Sequence, residues 1–339
     1  MGARRAARPA ARPAGPRARR LGPRRRRPSG RVPVDAFALH HEAFPLPDGF
    51  LTLDLRDFDD DAYPVSYDRP AGPLRPATIV DALVLDVATD GTVRSRWSLA
   101  ERLDTQRIGW MSLQVDAGGL DWAHANAVFL DPTDGNVVVS VRHQDVVVEL
   151  DRATGDVRWL LGNPDGWAPP LADLRLQPVG DVSWPSHQHG PMIVDNGDGT
   201  IDVVMFDNGN YGRTTPYSGV DDGDHYSRMI AYRVDEAART VEQVWVADET
   251  STGRLFVPAF GDADRLPLTG NTLGVWGMVF DEGEGKNVDL GRGAKSVRLV
   301  EAGPDGAPVW ELSAWTPREA WREGWQAHRA QRIPTLYPR

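Results

Sequence analysis

Two hairpin patterns recur along the chain, and this repetition limits the fold more than any other feature of the sequence. The first pattern reads HHEAFPLPDGFLTL from His40, HANAVFLDPTDGNVVVS from His124, HGPMIVDNGDGTIDVVMF from His189 and GDADRLPLTGNTLGVWG from Gly261. The second pattern is a strand, an acidic residue, a turn and a strand that ends at Trp97, Trp159, Trp245 or Trp310. Both patterns alternate β-branched and polar residues around Gly-containing turns, which is typical of antiparallel hairpins. Each repeat therefore predicts four antiparallel strands.

Tandem units of four antiparallel strands predict an all-β chain, folded as a β-propeller. A single blade cannot bury both of its faces, so blades pack face to face around a central channel. The Trp that closes each repeat is expected to pack between neighbouring blades. Four repeats are clear, which is the low end for a propeller, and further blades are expected upstream.

Charge divides the chain into two parts. Residues 1–31 carry 12 of the 38 basic residues and none of the 48 acidic ones. This segment is rich in Arg, Pro and Ala, so residues 1–33 are expected to form a disordered leader and residues 34–339 the propeller domain. The remaining 26 basic and 48 acidic residues give the domain a charge of −22, which argues against nucleic acid as a partner.

Several classes of site and segment are missing from the sequence. The chain of 339 residues has no Cys, which excludes disulfides, thiolate metal sites and a Cys nucleophile. It has no Walker loop, Rossmann fingerprint or GxSxG elbow. It also has neither the apolar core of a signal peptide nor an apolar stretch of about 20 residues that would span a membrane.

Three histidines occupy the same position of successive repeats, at the start of the first hairpin. They are His41, His124 and His189, and the fourth repeat has Asp262 there. Equivalent positions of propeller blades face one another across the axis, so these imidazoles are expected to converge at one mouth of the channel. Three histidines suit zinc, but they also suit an anion site in which one His is a nucleophile or acid–base group.

Neighbouring residues would complete such an anion site. Arg142 and Arg213 are predicted beside propeller strands, and a guanidinium matches the oxygens of sulfate or phosphate. His143 follows Arg142 and is either a second binding residue or a structural one. His187 forms an H-x-H pair with His189, and we assign it a binding role as well.

The segment DWAHANAVFLDPTDGNVVVSVRHQDVVVELDRATGDVRWLLG, at residues 121–162, resembles the signature blade of the bacterial arylsulfate sulfotransferases. The resemblance continues in HHEAFPLPDG, HQHGPMIV, FDNGNYGR, YSRMIAYRVDEAARTVEQVW, FVPAFGDADRLPLTGN and RAQRIPTLYP. It covers the chain from about residue 38 to its end, in the family's order. It implies a six-bladed propeller that moves a sulfuryl group from a phenolic sulfate ester to a phenol, without a nucleotide donor, through a sulfated histidine.

The resemblance also implies roles for individual residues. His124 and His189 match the histidines that contact the sulfuryl group, and Arg213 matches the arginine that neutralises its oxygens. The family's nucleophilic histidine is expected near Met278 or Val279, and no His lies between His225 and His328. Three interpretations follow: His41, His124 or His189 is the nucleophile, transfer is direct, or the chain binds without turnover.

The predicted function is therefore an arylsulfotransferase-like enzyme whose partners are a small aryl sulfate and a phenol. The predicted catalytic residues are His124, His189, Arg213 and His41, and the predicted binding residues are His143, Arg142 and His187. No metal and no cofactor are expected. The alternative is a non-catalytic propeller that serves as a binding or interaction scaffold, and a quinoprotein-like dehydrogenase is a weaker third interpretation. The family is commonly exported, so the compartment stays open, as does the oligomeric state.

Overall fold

The structure is a computed structural model, and it describes residues 31–67, 72–210, 225–281, 294–315 and 324–333. The chain divides into Met1–Pro33 and Val34–Arg339, and every described strand and helix belongs to the second unit. Its regular structure is nearly all β, as the sequence predicts. The described helices are an α-helix at Glu249–Thr252 and two 3-10 turns at Arg142–Gln144 and Leu171–Leu174. None of the described helices is long and apolar enough to cross a membrane.

The first sheet is built around a four-stranded antiparallel meander, with two short strands added beyond its long third strand. Its strands are β1 (His40–Leu46), β2 (Gly49–Pro64), β3 (Leu74–Ala88), β4 (Val93–Ser98), β5 (Val115–Asp116) and β6 (Gly119–Leu120). β2 pairs with both β1 and β3, and β3 pairs with β4 and, in parallel, with β6.

The second, third and fourth sheets each contain the same meander. The second has β7 (Ala125–Leu130), β8 (Val137–Val141), β9 (Val146–Leu150) and β10 (Val157–Gly162). The third has β11 (Gln177–Pro178), β12 (His189–Asp195), β13 (Ile201–Asp207), β14 (Arg228–Asp235) and β15 (Thr240–Ala247). The fourth has β16 (Asp262–Arg265), β17 (Thr272–Asp281), β18 (Ala294–Ala302) and β19 (Pro308–Trp315). The four sequence repeats thus correspond to four meanders, one per sheet.

Successive sheets pack face to face through apolar clusters. One apolar cluster joins the first sheet to the second, another joins the second sheet to the third, and one more joins the third sheet to the fourth. The edge strands β1, β7, β12 and β16 contact one another in that order. The described sheets do not close into a ring, so the propeller arrangement stays a prediction while the all-β class is confirmed.

The Trp that closes each repeat lies between sheets in three cases out of four. Trp97 packs against Gly155 of the second sheet, where a Cβ would lie 2.1 Å from the indole. The Trp159 indole donates to Glu236 beside the third sheet, and the Trp245 indole donates to the Gly303 carbonyl beside the fourth. Trp310 closes the fourth repeat, and its side chain is 39% exposed. The structure describes no fifth sheet that could cover it.

Candidate functional site: a histidine cluster at the start of the edge strands

Local backbone strain marks the positions where the repeats begin. His41 and His124 are in the left-handed region, with φ of 56° and 45°, and Phe260 takes φ of 68° just before β16. Non-Gly residues rarely adopt this region unless the surrounding structure holds them there, and such strain concentrates at functional sites. The first strand pairing of each of the first three sheets is also irregular at this end. Bulges of this kind re-aim side chains.

Seven of the eight histidines form one connected set of rings. Ring centroids are 5.3 Å apart for His41 and His124, 4.7 Å for His124 and His143, and 5.5 Å for His143 and His187. His40 lies 4.9 Å from His41. A further imidazole, His328, lies 5.9 Å from His41 and 6.4 Å from His189. We call these seven side chains the histidine cluster.

Hydrogen bonds hold two members of the cluster at Nδ1 and leave Nε2 without a partner among the described residues. The Nδ1 atom of His124 lies 2.5 Å from Oδ2 of Asp121, so His124 donates from Nδ1 to a carboxylate. The Nδ1 atom of His189 lies 2.6 Å from Oδ1 of Asn208. The Asn208 amide donates to the carbonyls of Val257 and Phe260, which fixes Oδ1 as the acceptor for His189. The His124 side chain is 28% exposed, so the cluster is open to a small molecule at this residue.

His143, Arg142 and His187 form the buried floor of the cluster. His143 donates from Nδ1 to the Asp121 carbonyl at 2.7 Å, and its Nε2 accepts from Arg142 at 2.7 Å. The Arg142 guanidinium also donates to the Pro258 carbonyl, and its Nε has no hydrogen-bond partner among the described residues. Both ring nitrogens of His187 face oxygens, of Asp145 at 2.9 Å and of Trp110 at 3.0 Å. These two imidazoles are therefore held in place by their own hydrogen bonds.

Burial favours the neutral form of the interior imidazoles His143 and His189 and leaves one buried positive charge, Arg142, beside His143. Desolvation lowers the pKa of His41 to about 3, helped by the charges of His124 and His40. It lowers the pKa of His143 and His189 well below the usual value of 6.5. Burial also lowers the pKa of Arg142 to about 10, which still leaves the guanidinium charged at neutral pH. The cluster therefore places neutral imidazole nitrogens, which have basic lone pairs, close to the Arg142 cation.

His328 reaches the cluster on a C-terminal segment, Gly324–Ile333, that crosses the fourth sheet. The amide of Ala327 donates to the carbonyl of Gly277 in β17 at 3.0 Å. The following Arg329 pairs with Glu42 of β1 at 2.5 Å. The His328 ring packs on the Phe260 ring at 5.5 Å, and its Nε2 is buried without a hydrogen-bond partner. The segment thus carries an imidazole to the fourth-sheet side of the cluster, where the repeat itself has none.

The structure accounts for the predicted site residues in three ways. It brings His41, His124, His143, His187 and Arg142 together, with His189 joined to them through His328. Met278 and Val279 lie in β17 beside the C-terminal segment, and the Gln326 amide contacts the Met278 sulfur at 3.4 Å. Asp262 lies at the start of β16, where burial and the neighbouring Asp264 raise its pKa to about 8. Arg213 lies outside the described residues.

Sequence reasoning missed His328 and His40. The one sequence signal for His328 was its place directly before RAQRIPTLYP, one of the motifs that carry the family resemblance. It belongs to no hairpin repeat, so repeat position could not assign it. His40 was missed because the repeat position was assigned to its neighbour, His41. The Nδ1 atoms of the two residues lie 2.6 Å apart.

One group within the cluster has the composition of a metal site. Ligand atoms of Asp121, His124 and His143 lie within 4.8 Å of one another. Two ligands of a tetrahedral zinc ion are about 3.3 Å apart, given bond lengths of roughly 2.0–2.1 Å. The separation of 2.5 Å between His124 and Asp121 is too short for both to bind one ion. The arrangement fits a hydrogen-bonded Asp–His pair.

Residues next to His41 and His328 in the sequence line a cavity of about 490 Å³. Glu42 and Arg329, which directly follow these two histidines, line it together with Phe44, Phe129 and Asp262. Its walls therefore combine two aromatic rings with charged groups.

Comparison with known proteins adds two curated relatives, both called arylsulfate sulfotransferase AssT. The protein from Escherichia coli O6:H1 is 30% identical over 210 residues, covering 48% of this chain and 34% of the relative. The protein from Lelliottia amnigena is 30% identical over 143 residues, covering 37% of this chain and 22% of the relative. The chain thus spans about a third or less of the length of these relatives.

Among solved structures, a GH43 protein, BlXynB, from Bacillus licheniformis is similar to 87% of this chain, which in turn covers 45% of that protein. At 12% identity and a TM-score of 0.36, this likeness carries no argument. The family model described as Arylsulfotransferase (ASST) matches residues 25–302, and because this is most of the chain, the chain belongs to the arylsulfotransferase family.

Proposed function

We propose that this chain transfers a sulfuryl group from an aryl sulfate ester to a phenol at the histidine cluster. One observation carries the proposal: four imidazoles of the histidine cluster lie together near the buried Arg142. They belong to His41, His124, His189 and His328, and a hydrogen bond at Nδ1 leaves Nε2 of His124 and His189 facing the site. Neutral imidazoles supply nucleophilic nitrogen, and a buried cation attracts an anionic ester. Membership of the arylsulfotransferase family supports the same reaction.

We assign the role of sulfuryl acceptor to His328. Its Nε2 is buried and has no hydrogen-bond partner in the described part of the chain, and burial lowers its pKa below 6.5, so its lone pair is available at neutral pH. It also lies beside Gly277 and Met278, the stretch in which the family resemblance leads us to expect the nucleophile. His189 and Arg142 would then line the position of the sulfuryl oxygens, together with Arg213 by family resemblance.

His124 is the proton carrier in this proposal. His124 starts the cycle as an imidazolium, with Nδ1 donating to Asp121. The lone pair of Nε2 in His328 forms a bond to sulfur while the bond between sulfur and the aryl oxygen breaks. The leaving phenolate keeps that electron pair and takes the proton from Nε2 of His124. In the second half, the acceptor phenol returns a proton to His124 and its oxygen attacks sulfur. The N–S bond then breaks, and His328 regains its lone pair.

The aromatic group of either substrate would use the neighbouring cavity. Phe44 and Phe129 supply apolar surface there, and the cavity volume of about 490 Å³ is ample for one phenyl ring. Arg329, which also lines this cavity, directly follows His328 in the sequence.

Turnover of 4-nitrophenyl sulfate tests the proposal. Release of 4-nitrophenol is expected to accelerate when a second phenol is added, because the acceptor discharges the sulfated enzyme. Asp121→Asn is expected to lower kcat by about 10²–10⁴-fold, the usual contribution of an oriented acid–base group. The matched control is Asp165→Asn, which changes an exposed carboxylate and should leave kcat unchanged.

A second candidate function is binding without turnover. It is favoured by Met278 and Val279, which place apolar side chains where the family resemblance leads us to expect an imidazole. Calorimetric binding of 4-nitrophenyl sulfate with no release of 4-nitrophenol would support this scaffold role. Absence of both binding and turnover would reject both candidates.

A further inference from the structure

A buried acidic group lies between the second and third sheets, away from the histidine cluster. Asp131 directly follows β7, Glu149 lies in β9, and Glu236 directly follows β14. His124 precedes β7 whereas Asp131 follows it, so the two sites are at opposite ends of the same strand. Successive residues of a strand point to opposite faces, so Glu149 shares a face with Val147. Val147 packs in the apolar cluster between these two sheets.

The three carboxylates converge on one point. Their nearest oxygens lie within 4.8 Å of one another. Asp131 and Glu149 are 0% and 1% exposed, and Oδ2 of Asp131 and Oε1 of Glu149 are buried with no hydrogen-bond partner among the residues that the structure describes. A buried, unpaired carboxylate oxygen is costly. Two such oxygens in one acidic group indicate a missing positive partner.

The protein's own donors satisfy only part of this group. Thr133 donates from its amide and its hydroxyl to Oδ1 of Asp131, at 2.7 and 2.6 Å. The Trp159 indole donates to Oε1 of Glu236 at 2.5 Å. Arg158 and Arg239 line the adjacent cavity, but among the described residues neither forms an ion pair with these three carboxylates. The remaining negative charge is left without a cation.

We propose that Asp131, Glu149 and Glu236 bind a divalent cation of the calcium type and so fasten the second sheet to the third. Three carboxylates and no nitrogen or sulfur are a hard, all-oxygen ligand set, which suits Ca²⁺ rather than zinc or copper. A cavity of about 300 Å³ borders Glu149 and Glu236 and leaves room for the water ligands that complete a coordination number of 6–8.

Calcium binding is tested on the full chain by thermal unfolding and by terbium luminescence. Ca²⁺ is expected to raise Tm in a concentration-dependent manner, because it binds only the folded state. Tb³⁺, which replaces Ca²⁺, should show emission sensitised by the adjacent Trp159, and added Ca²⁺ should quench it. Trp159→Phe should reduce this emission several-fold while the Ca²⁺-dependent shift in Tm persists.

Glu149→Gln is the decisive variant, because it removes one ligand without changing the size of the side chain. It is expected to fold without calcium and to lose both the shift in Tm and the terbium signal. Asp156→Asn, which removes an exposed carboxylate of the same sheet, is the control and should respond like the parent chain. No shift in Tm at millimolar Ca²⁺ would overturn the proposal, as would an unchanged shift in Glu149→Gln. Neither result depends on sulfuryl transfer.

Discussion

At the scale of single residues, the histidine cluster depends on imidazoles that remain neutral inside the protein. Nδ1 of His189 is fixed by Asn208 and Nδ1 of His143 by the Asp121 carbonyl, and the pKa values of both fall mainly because burial disfavours the charged form. A neutral imidazole is a better nucleophile than a protonated one. The same shifts make the folded state sensitive to acid.

His41 provides the prediction at this scale. Its pKa is lowered from 6.5 to about 3, so between these values the unfolded chain binds more protons than the folded chain. The free energy of unfolding is therefore expected to fall as pH drops from 6.5 towards 3, by less than the full pKa shift implies, because the His41 side chain is exposed and solvent screens its interactions. Denaturant unfolding between pH 6.5 and pH 3 should show that His41→Asn loses less free energy of unfolding than the parent chain. Asn tolerates the left-handed backbone, and its side chain does not titrate in this range.

Comparing the pH profiles of the parent chain and of His41→Asn isolates the contribution of His41 to the pH dependence of stability. Asp262, whose pKa is raised to about 8, changes stability in the opposite direction but does so equally in both chains. Parallel pH profiles for the parent and His41→Asn would contradict the prediction. A variant that is less stable by the same amount at every pH would indicate a role in packing alone.

At the scale of elements, the sequence predicts strands and turns well because both depend on local chemistry. Alternation of apolar and polar residues and the Gly-containing turns identify the four meanders. Repeat position identifies His41, His124 and His189 as neighbours in space. The same reasoning could not find His328, because the segment Gly324–Ile333 has no hairpin pattern and is held by contacts with residues far away in sequence. Trp310 shows a second limit of prediction from sequence. Its repeat position predicts packing between sheets, but its exposure depends on whether another sheet packs against the fourth.

The contact between the C-terminal segment and β17 gives the prediction at this scale. A Cβ at Gly277 would lie 1.9 Å from the carbonyl oxygen of Ala327 and 3.2 Å from Cβ of Phe260. Gly277→Ala is therefore expected to displace the segment and move His328, with a loss in kcat of about 10²-fold. The fourth sheet should persist, so the stability loss is expected to be about 1–3 kcal/mol.

Circular dichroism, thermal unfolding and turnover of 4-nitrophenyl sulfate together check this outcome. Leu268→Val, at a side chain that is 98% exposed near the start of β17, is the control. Full activity in Gly277→Ala would show that the position of His328 does not matter to the reaction.

At the scale of the whole molecule, the site exists only where several sheets meet. His41, His124 and His189 come from the first three sheets, and His328 comes from the segment beside the fourth. The chain spans about a third or less of its curated relatives, yet it brings these four imidazoles together. The family model identifies the family, whereas only the packed structure shows which imidazole stands beside β17.

The most direct test of sulfuryl transfer through His328 is mass spectrometry of the protein after exposure to 4-nitrophenyl sulfate without an acceptor. We expect the protein to gain one sulfuryl group, the group to map to the peptide that carries His328, and a phenol to remove it. His328→Asn should neither gain the group nor release 4-nitrophenol. Sulfation of a different histidine, or full turnover by His328→Asn, would contradict the role assigned to His328.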